Sequence, residues 1–345
     1  MKVLHAIPSP KGRLGGIEAV LDFFRERFPE ARMQEEPDEE AVRWAEVVHV
    51  HGVWNPAHRK VFEACMRWGV PWVISPHGML EPWARRHRWW KKWIYFRWIE
   101  REHLARAAAL HATSQIEQKH LGELFPEQRI DVITPCVMEK VEPDYSGARA
   151  RLGWRQNEFI LLFLSRLHPK KGLHVLIEAL GSLGKLVDRP MRLVVAGGGE
   201  PRYVRKCREQ AGRYGLTVDW PGPVWGTARW DYFRGADLFC LPTFSENFGV
   251  AVLEALQVGT RVLTTTATPW GEFGIENGLV LSEPEVEEVR AHLSAILDGP
   301  GWNEEDRQML TRDINERFGK EKTKEAWKGF YLAVKEGVWR VRSKG

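Results

Sequence analysis

Residues 159–187 read FILLFLSRLHPKKGLHVLIEALGSLGKLV, and the fold class follows from their order. Phe159 to Leu164 is an apolar run of strand length without polar alternation, the pattern of a strand covered on both faces. Pro169 and Gly172 punctuate the residues that follow, and from Gly172 to Val187 apolar side chains recur at helical spacing. A buried strand, a short loop and an amphipathic helix make one unit of a parallel sheet. The unit recurs downstream, with strands predicted at Leu193–Ala196, Thr217–Trp220, Asp237–Leu241 and Arg261–Thr265. Helices at Glu200–Arg213, Ala228–Arg234 and Val250–Val258 alternate with them. Upstream the same rhythm gives strands Val3–Ile7, Val47–Val50, Trp72–Ile74, Leu110–Ala112 and Ile130–Ile133. Helices are predicted there at Ile17–Phe28, Pro56–Trp68, Ala84–Ala108 and Gln115–Leu124. The expected class is α/β: two Rossmann-like, doubly wound parallel-sheet domains facing a cleft, joined near Pro135–Pro143. Their expected limits are residues 1–140 and 155–318. Beyond Glu285 the chain reads as helices Glu285–Leu297, Glu304–Phe318 and Lys320–Trp339, and the acidic run Glu35–Glu40 reads as a solvated loop.

Composition narrows the function classes. A length of 345 residues suits two domains of about 150 each. A hydrophobic share of 43% with 28% charged residues excludes wholesale disorder. No apolar run approaches the roughly 18 residues of a membrane span, and the N-terminal MKVLHAIPSPKG lacks the apolar core of a signal peptide. A net charge of +4 is too mild to mark a nucleic-acid binder. Cys65, Cys136, Cys207 and Cys240 stand far apart without a Cys-x-x-Cys pair, which fits a reducing cytoplasm and no structural zinc.

Parallel sheets bind ligands beyond the carboxyl ends of their strands, so the strand-to-helix loops carry the functional signal. In Ser165–Gly172, Arg166 and Lys171 place positive charge beside a helix start, an arrangement that an anion such as a diphosphate would stabilise. In PTFSENFGVAVLEALQV, residues 242–258, Asn247, Phe248, Gly249 and Val250 offer backbone amides to a phosphate at a helix N-terminus. Glu246 precedes that helix. Glu254 lies within it among Val252, Leu253, Ala255 and Leu256, where a half-buried carboxylate needs a partner such as ligand hydroxyls. The loop of residues 8–16 ends in Gly15-Gly16, which lets amides approach an anion or serves as a plain turn. Gly197 to Gly199 allow close approach to a nucleotide, though a tight turn also explains them. His49 and His51 end a strand at the same cleft, and His51 reads either as an acceptor contact or as a structural histidine. His111 reads as structural.

Taken in order, SRLHPKKG, VVAGGGEP and PTFSENFGVAVLEALQVGTRVLTT resemble glycosyltransferase family 4, retaining enzymes of GT-B fold that use nucleotide-sugar donors. PHGMLEPWA, HATSQIE and TPW are similar to a subgroup frequent among bacterial surface-polysaccharide transferases. The resemblance implies that Arg166 and Lys171 hold the donor diphosphate, Glu254 the ribose hydroxyls and Glu246 the donor sugar. Asn247–Val250 would supply amides along sugar and phosphate, with Gly197 and Gly198 beside the nucleotide. It assigns His77 to the donor across the cleft, Gly15 and Gly16 to a loop between diphosphate and acceptor, and Arg13 and His51 to the acceptor side. It makes residues 1–140 the acceptor domain, with helix 320–340 packed back on it, and residues 155–318 the donor domain. Trp220, Trp225 and Trp230 surround the stretch that meets the nucleobase, which leaves UDP or GDP open. Asp-x-Asp, which holds a divalent ion in metal-dependent transferases, does not occur, so no metal and no cofactor are expected.

Rival readings have sequence support of their own. Two helical glutamates eight residues apart would stand roughly 12 Å from each other, too far for the roughly 5–9.5 Å of a glycosidase pair. A nucleotide-sugar epimerase of the same fold is a second enzyme reading. A non-enzymatic binding protein is the third, built on residues 85–106, where Arg85, Arg86, Arg88, Lys91 and Lys92 mingle with Trp89, Trp90, Trp93 and Trp98. That stretch fits a core helix with snorkelling arginines or peripheral contact with an anionic membrane, and fits nucleic acid less well. The expected partners are therefore a nucleotide-diphosphate sugar and a glycan or lipid-linked acceptor. Nucleic acid is not among them.

Overall fold

The computed structural model describes residues 1–9, 15–83, 100–137, 141–183 and 190–337. They form two compact units, one of Met1–Met138 with Lys320–Gly345, the other of Glu139–Gly319. Arg13 and residues 84–99 of the basic aromatic stretch lie outside the described residues.

The first unit is built on strands β1 (Val3–Ala6), β2 (Arg32–Gln34), β3 (Val47–His51), β4 (Trp72–Ser75), β5 (Ala109–Ala112) and β6 (Ile130–Val132). They pair in the order β2-β1-β3-β4-β5-β6, all parallel. Every residue of β1, β3, β4 and β5 is buried, as continuous apolar runs covered on both faces require. On one face Leu4, Val48, Val50 and Ile74 meet Phe62 and Cys65 of helix His58–Trp68. On the other, Val3, Val47 and Val73 meet Phe24 of helix Gly15–Arg27 and Phe28 just beyond it, together with Trp327, Phe330 and Tyr331 of helix Lys320–Lys335.

The second unit carries β7 (Phe159–Leu164), β8 (Met191–Ala196), β9 (Val218–Gly222), β10 (Leu238–Cys240), β11 (Arg261–Thr265) and β12 (Leu279–Ser282). Their order is β12-β11-β10-β7-β8-β9, again all parallel. The chain therefore winds outward from β7 in one direction and then from β10 in the other. This is the doubly wound order of nucleotide-binding sheets, with its switch point between β7 and β10.

Four features depart from the sequence reading. Strand β2 is too short and polar, Arg-Met-Gln, to register as a buried run, and β12 follows a loop that hides its start. The acidic run is not loop throughout, because Asp38 caps helix Glu39–Trp44 by accepting from the Ala41 amide at 2.8 Å, and Glu39 and Glu40 complement the helix dipole. Helix Tyr145–Leu152 opens the second unit without an amphipathic pattern. It is held by Arg149, fully buried, which donates to the carbonyls of Gly235, Arg155 and Glu158 at 2.9 Å each and pairs with Asp237. The Tyr145 ring lies between the Arg149 and Arg307 guanidinium groups, 4.2 and 4.3 Å from its centre.

Removing Arg149 takes the cation from Asp237, which keeps the Tyr145 hydroxyl and the Ile160 amide as donors, and takes a buried donor from the Gly235, Arg155 and Glu158 carbonyls. Arg149→Ala should therefore destabilise the second unit by about 3–5 kcal/mol, read from urea unfolding followed by tryptophan fluorescence. A loss below about 1 kcal/mol would mean that water replaces the guanidinium without cost.

Candidate active site

The loops leaving β7 and β10 lie at the switch point and are locked together. The Phe244 amide donates to the Lys170 carbonyl at 2.8 Å, and the Thr243 hydroxyl donates to the same oxygen at 3.0 Å. A side-chain carbon at Gly172 would fall 1.9 Å from the Pro242 carbonyl oxygen, and its φ of +74° already favours glycine. The loop after β8 joins them, with the Leu167 amide donating to the Gly198 carbonyl and the Gly197 amide to the Gly222 carbonyl, both at 2.8 Å. Beside Gly197, Gly198 and Gly199 lies a cavity of about 510 Å³, lined also by Leu167, Arg208 and Trp220.

Lys171, at the end of the short turn Pro169–Lys171, forms an ion pair with Glu246, and both side chains are mostly covered. Next to this pair, Gly249 in the left-handed region starts helix Val250–Gln257, and no side chain caps that end. Its first amides therefore stay available to an anion. Phe248 is buried and fixed against Trp270, with ring centres 5.2 Å apart, and Trp270 packs on Phe318 at 5.6 Å. Asn247 Oδ1 and Trp270 Nε1 are buried at this helix end without a hydrogen-bond partner. Glu254, about one turn into the helix, accepts from Arg229 Nε at 2.8 Å, and Arg229 lies 4.5 Å over the Trp230 ring. Arg166 is exposed on the loop after β7. The structure thus brings together Lys171, Glu246, Asn247, Phe248, Gly249 and Val250. It sets Glu254 farther along the helix on a partner, Arg229, that sequence reasoning did not single out. Glu246 is outside the helix, so the two carboxylates are not on one helical ladder.

In the first unit Gly15 and Gly16 start the helix after β1. His51 is fully buried; its Nε2 lies 2.9 Å from His5 Nδ1 and its Nδ1 lies 3.0 Å from His77 Nε2. His77 sits in the left-handed region at φ 50°. The turn is held by Glu117, the carboxylate of HATSQIE, which accepts from the Gly78 amide at 2.7 Å and from the Thr113 amide at 2.8 Å. Strand period explains the cluster, since His49 and His51 share a face of β3 and His5 of β1 stands in register with His49. His111 Nε2 donates to the Ile133 carbonyl at 2.8 Å, which leaves its Nδ1 to accept from Ser75. Ser75 in turn accepts from His49 Nε2 at 2.7 Å, and His49 Nδ1 accepts the Tyr331 hydroxyl at 2.6 Å. One carbonyl therefore fixes the proton positions along this whole chain. Burial holds these rings neutral, with His5 and His77 lowered to about 3 and His111 to about 4, and His49 and His51 also well below the usual range. The ring nitrogens of His5, His49 and His51 lie within 4.8 Å of one another, close enough for a metal ion. Those of His49 and His51 are all committed to hydrogen bonds, which favours a neutral array over a metal centre.

Two doubly wound units, one presenting cations and an uncapped helix end at its switch point, define a phosphate-binding α/β class. Residues 4–136 match the family model of the glycosyl transferase 4-like domain, and residues 145–317 that of glycosyl transferases group 1; the chain belongs to this glycosyltransferase family. The D-inositol 3-phosphate glycosyltransferase of Rhodococcus erythropolis is 29% identical over 264 residues, 68% of this chain and 56% of that protein. The protein of the same name from Kribbella flavida is 29% identical over 303 residues, 77% of this chain and 66% of its own length. The chain thus spans between about half and two thirds of these curated relatives. Anabaena Alr3699/HepE in complex with UDP-glucose matches with a TM-score of 0.77 at 18% identity, over 96% of this chain and all of that one. Sucrose-phosphate synthase from Thermosynechococcus elongatus matches with a TM-score of 0.80 at 16% identity, over 96% of this chain and 98% of that one. At such identities these matches show the fold, which is GT-B.

The buried histidines link the first unit's stability to pH. Their folded pKa values lie below the unfolded value of about 6.5, so the unfolded chain binds more protons as pH falls from 6.5 towards 4. Each ring then costs about 1.4 kcal/mol of stability per pH unit. The melting transition of this unit should be constant above pH 7 and fall steeply between pH 6 and 4.5 in calorimetry. A transition indifferent to pH over that interval would mean the rings are charged in the folded state.

Proposed function

We propose that the protein is a retaining hexosyltransferase. It would move a hexose from a UDP- or GDP-linked sugar to a hydroxyl of a glycan or lipid-linked acceptor in polysaccharide biosynthesis. The observation that carries the reading is the Lys171–Glu246 pair beside the uncapped start of helix Val250–Gln257. The UDP-glucose complex of the structural neighbour supports a nucleotide-sugar donor, and the relatives' name supports a hydroxyl acceptor.

In this reading the donor diphosphate replaces Glu246 at Lys171 and meets the first amides of the helix, with Arg166 adding charge from the loop. Glu246, released, accepts hydrogen bonds from the sugar, and Glu254 from the ribose. As the bond between the anomeric carbon and the phosphate oxygen breaks, charge grows on the leaving diphosphate, where preorganised cations and amides stabilise it most. The acceptor oxygen bonds to the same carbon on the same face, and its proton passes to the departing phosphate. Lys171, Arg166 and the helix amides supply the charge that a divalent ion supplies elsewhere, so the proposed reaction needs no metal. The unit of residues 1–138 is assigned the acceptor. The arginines, lysines and tryptophans interleaved in residues 85–106 support a peripheral contact with an anionic membrane. A cytoplasmic location is proposed from the widely spaced cysteines.

Three measurements test the reading. Among UDP, GDP and ADP sugars at millimolar concentration, at least one should raise the melting temperature of the second unit, since binding at 100 times Kd adds about 2.7 kcal/mol. No shift with any of them would sink the donor assignment. Lys171→Ala should lower turnover by about 10²-fold or more, and unchanged kinetics would remove Lys171 from the reaction. Free nucleotide should appear only when acceptor is present, whereas an epimerase would convert the sugar without releasing it.

A further inference from the structure

The histidines of the first unit form two chains with different endings. The chain His111–Ser75–His49–Tyr331 is anchored on a carbonyl that can only accept. The chain His5–His51–His77 has no such anchor. Its inner end, His5 Nε2, is buried without a partner, with the Phe24 ring 4.3 Å from the imidazole. Its outer end, His77, is half-buried on the turn that Glu117 holds.

A chain of neutral imidazoles has two proton arrangements. In one, each ring donates inward, and His5 is left with a buried N–H pointing at nothing. In the other, each ring donates outward, and His5 is left with an unmatched lone pair. Buried orphan donors are the rarer of the two in folded proteins. Exchange between the arrangements requires a proton to enter or leave at His5 Nε2, which no hydrogen-bonded group reaches. The chain is therefore a lock and not a wire.

We propose that His51, backed by His5, is a positioning residue that holds His77 as the neutral tautomer protonated on Nδ1, giving the first unit a fixed hydrogen-bond donor for a substrate oxygen. His5 Nδ1–H donates to His51 Nε2, His51 Nδ1–H donates to His77 Nε2, and the remaining proton of His77 sits on Nδ1. The groups around the chain leave this arrangement undisturbed. His49 and His111 are committed to Ser75, Tyr331 and Ile133, and Glu117 is spent on the amides of Gly78 and Thr113. A merely structural His51 would require only that its cavity be filled. A positioning His51 requires a donor aimed at His77 Nε2. The proposal rests on the transferase reading for what His77 touches, but the lock itself is a property of the first unit alone.

The test uses the full chain labelled with ¹⁵N-histidine, with the His77 signals identified by their loss in His77→Gln. Long-range ¹H–¹⁵N spectra should show His77 as a single neutral tautomer with the proton on Nδ1. In His51→Leu, which fills the space without a donor, His77 should become a mixture of tautomers. Turnover should fall about tenfold with the donor KM within twofold. His51→Gln, whose amide can donate to Nε2, should restore the single tautomer and most of the turnover. A wild-type His77 protonated on Nε2, or a tautomer indifferent to His51→Leu, would overturn the proposal. A locked ring in a protein that transfers no sugar would leave the lock standing and count against the transferase reading instead.

Discussion

Strand β10 pairs with β7, not with β9, which precedes it in sequence, and the candidate donor site depends on that adjacency. Because both strands run parallel, their carboxyl ends finish side by side, and each delivers a loop to the same place. The β7 loop carries Lys171 and the β10 loop carries Glu246 with the start of helix Val250–Gln257. Contact between the loops is close enough that Gly172 has no room for a side chain against Pro242. Position is thus set by rigid sheet edges and backbone contacts, and the charged side chains only complete it.

The charges at this edge are held in pairs. Lys171 is satisfied by Glu246 and Arg229 by Glu254, so neither pair leaves an isolated charge at this edge. Both pairs keep some solvent contact, which limits the stability each contributes and so the cost of replacing it by ligand groups. The Arg149–Asp237 pair has the opposite character. Arg149 is fully buried and its remaining protons go to backbone carbonyls, so that pair ties helix Tyr145–Leu152 to the sheet.

Around β1, β3 and β4 the first unit buries a network of neutral polar groups. Five imidazoles, a serine and a tyrosine hydrogen-bond to one another beneath Trp327, where charged partners would have to give up more solvation. Helix Lys320–Lys335 supplies both the tyrosine and the tryptophan cover. Removing that helix would expose a polar network that depends on exclusion of water.

The alternation of apolar runs and amphipathic stretches was enough to specify two parallel α/β units, because strand burial on both faces leaves a local signature that needs no knowledge of partners. The same locality made SRLHPKKG and PTFSENFG legible as candidate anion-binding loops, since the residues concerned lie within a short stretch of sequence. Elements whose stability comes from distant partners were illegible. Helix Tyr145–Leu152 depends on Asp237 and Arg307, and β2 is held by its pairing with β1. Arg229 gains meaning only from Glu254, and Glu117 only from the Gly78 amide, 39 residues away. Sequence reasoning read His51 as structural or as an acceptor contact, His111 as structural and His77 as a donor contact by resemblance, and it did not single out His5. Strand register, the turn that carries His77 and the helix that carries Tyr331 together decided that they form two chains with different ends, because a ring's proton position is set by the neighbour it meets in space.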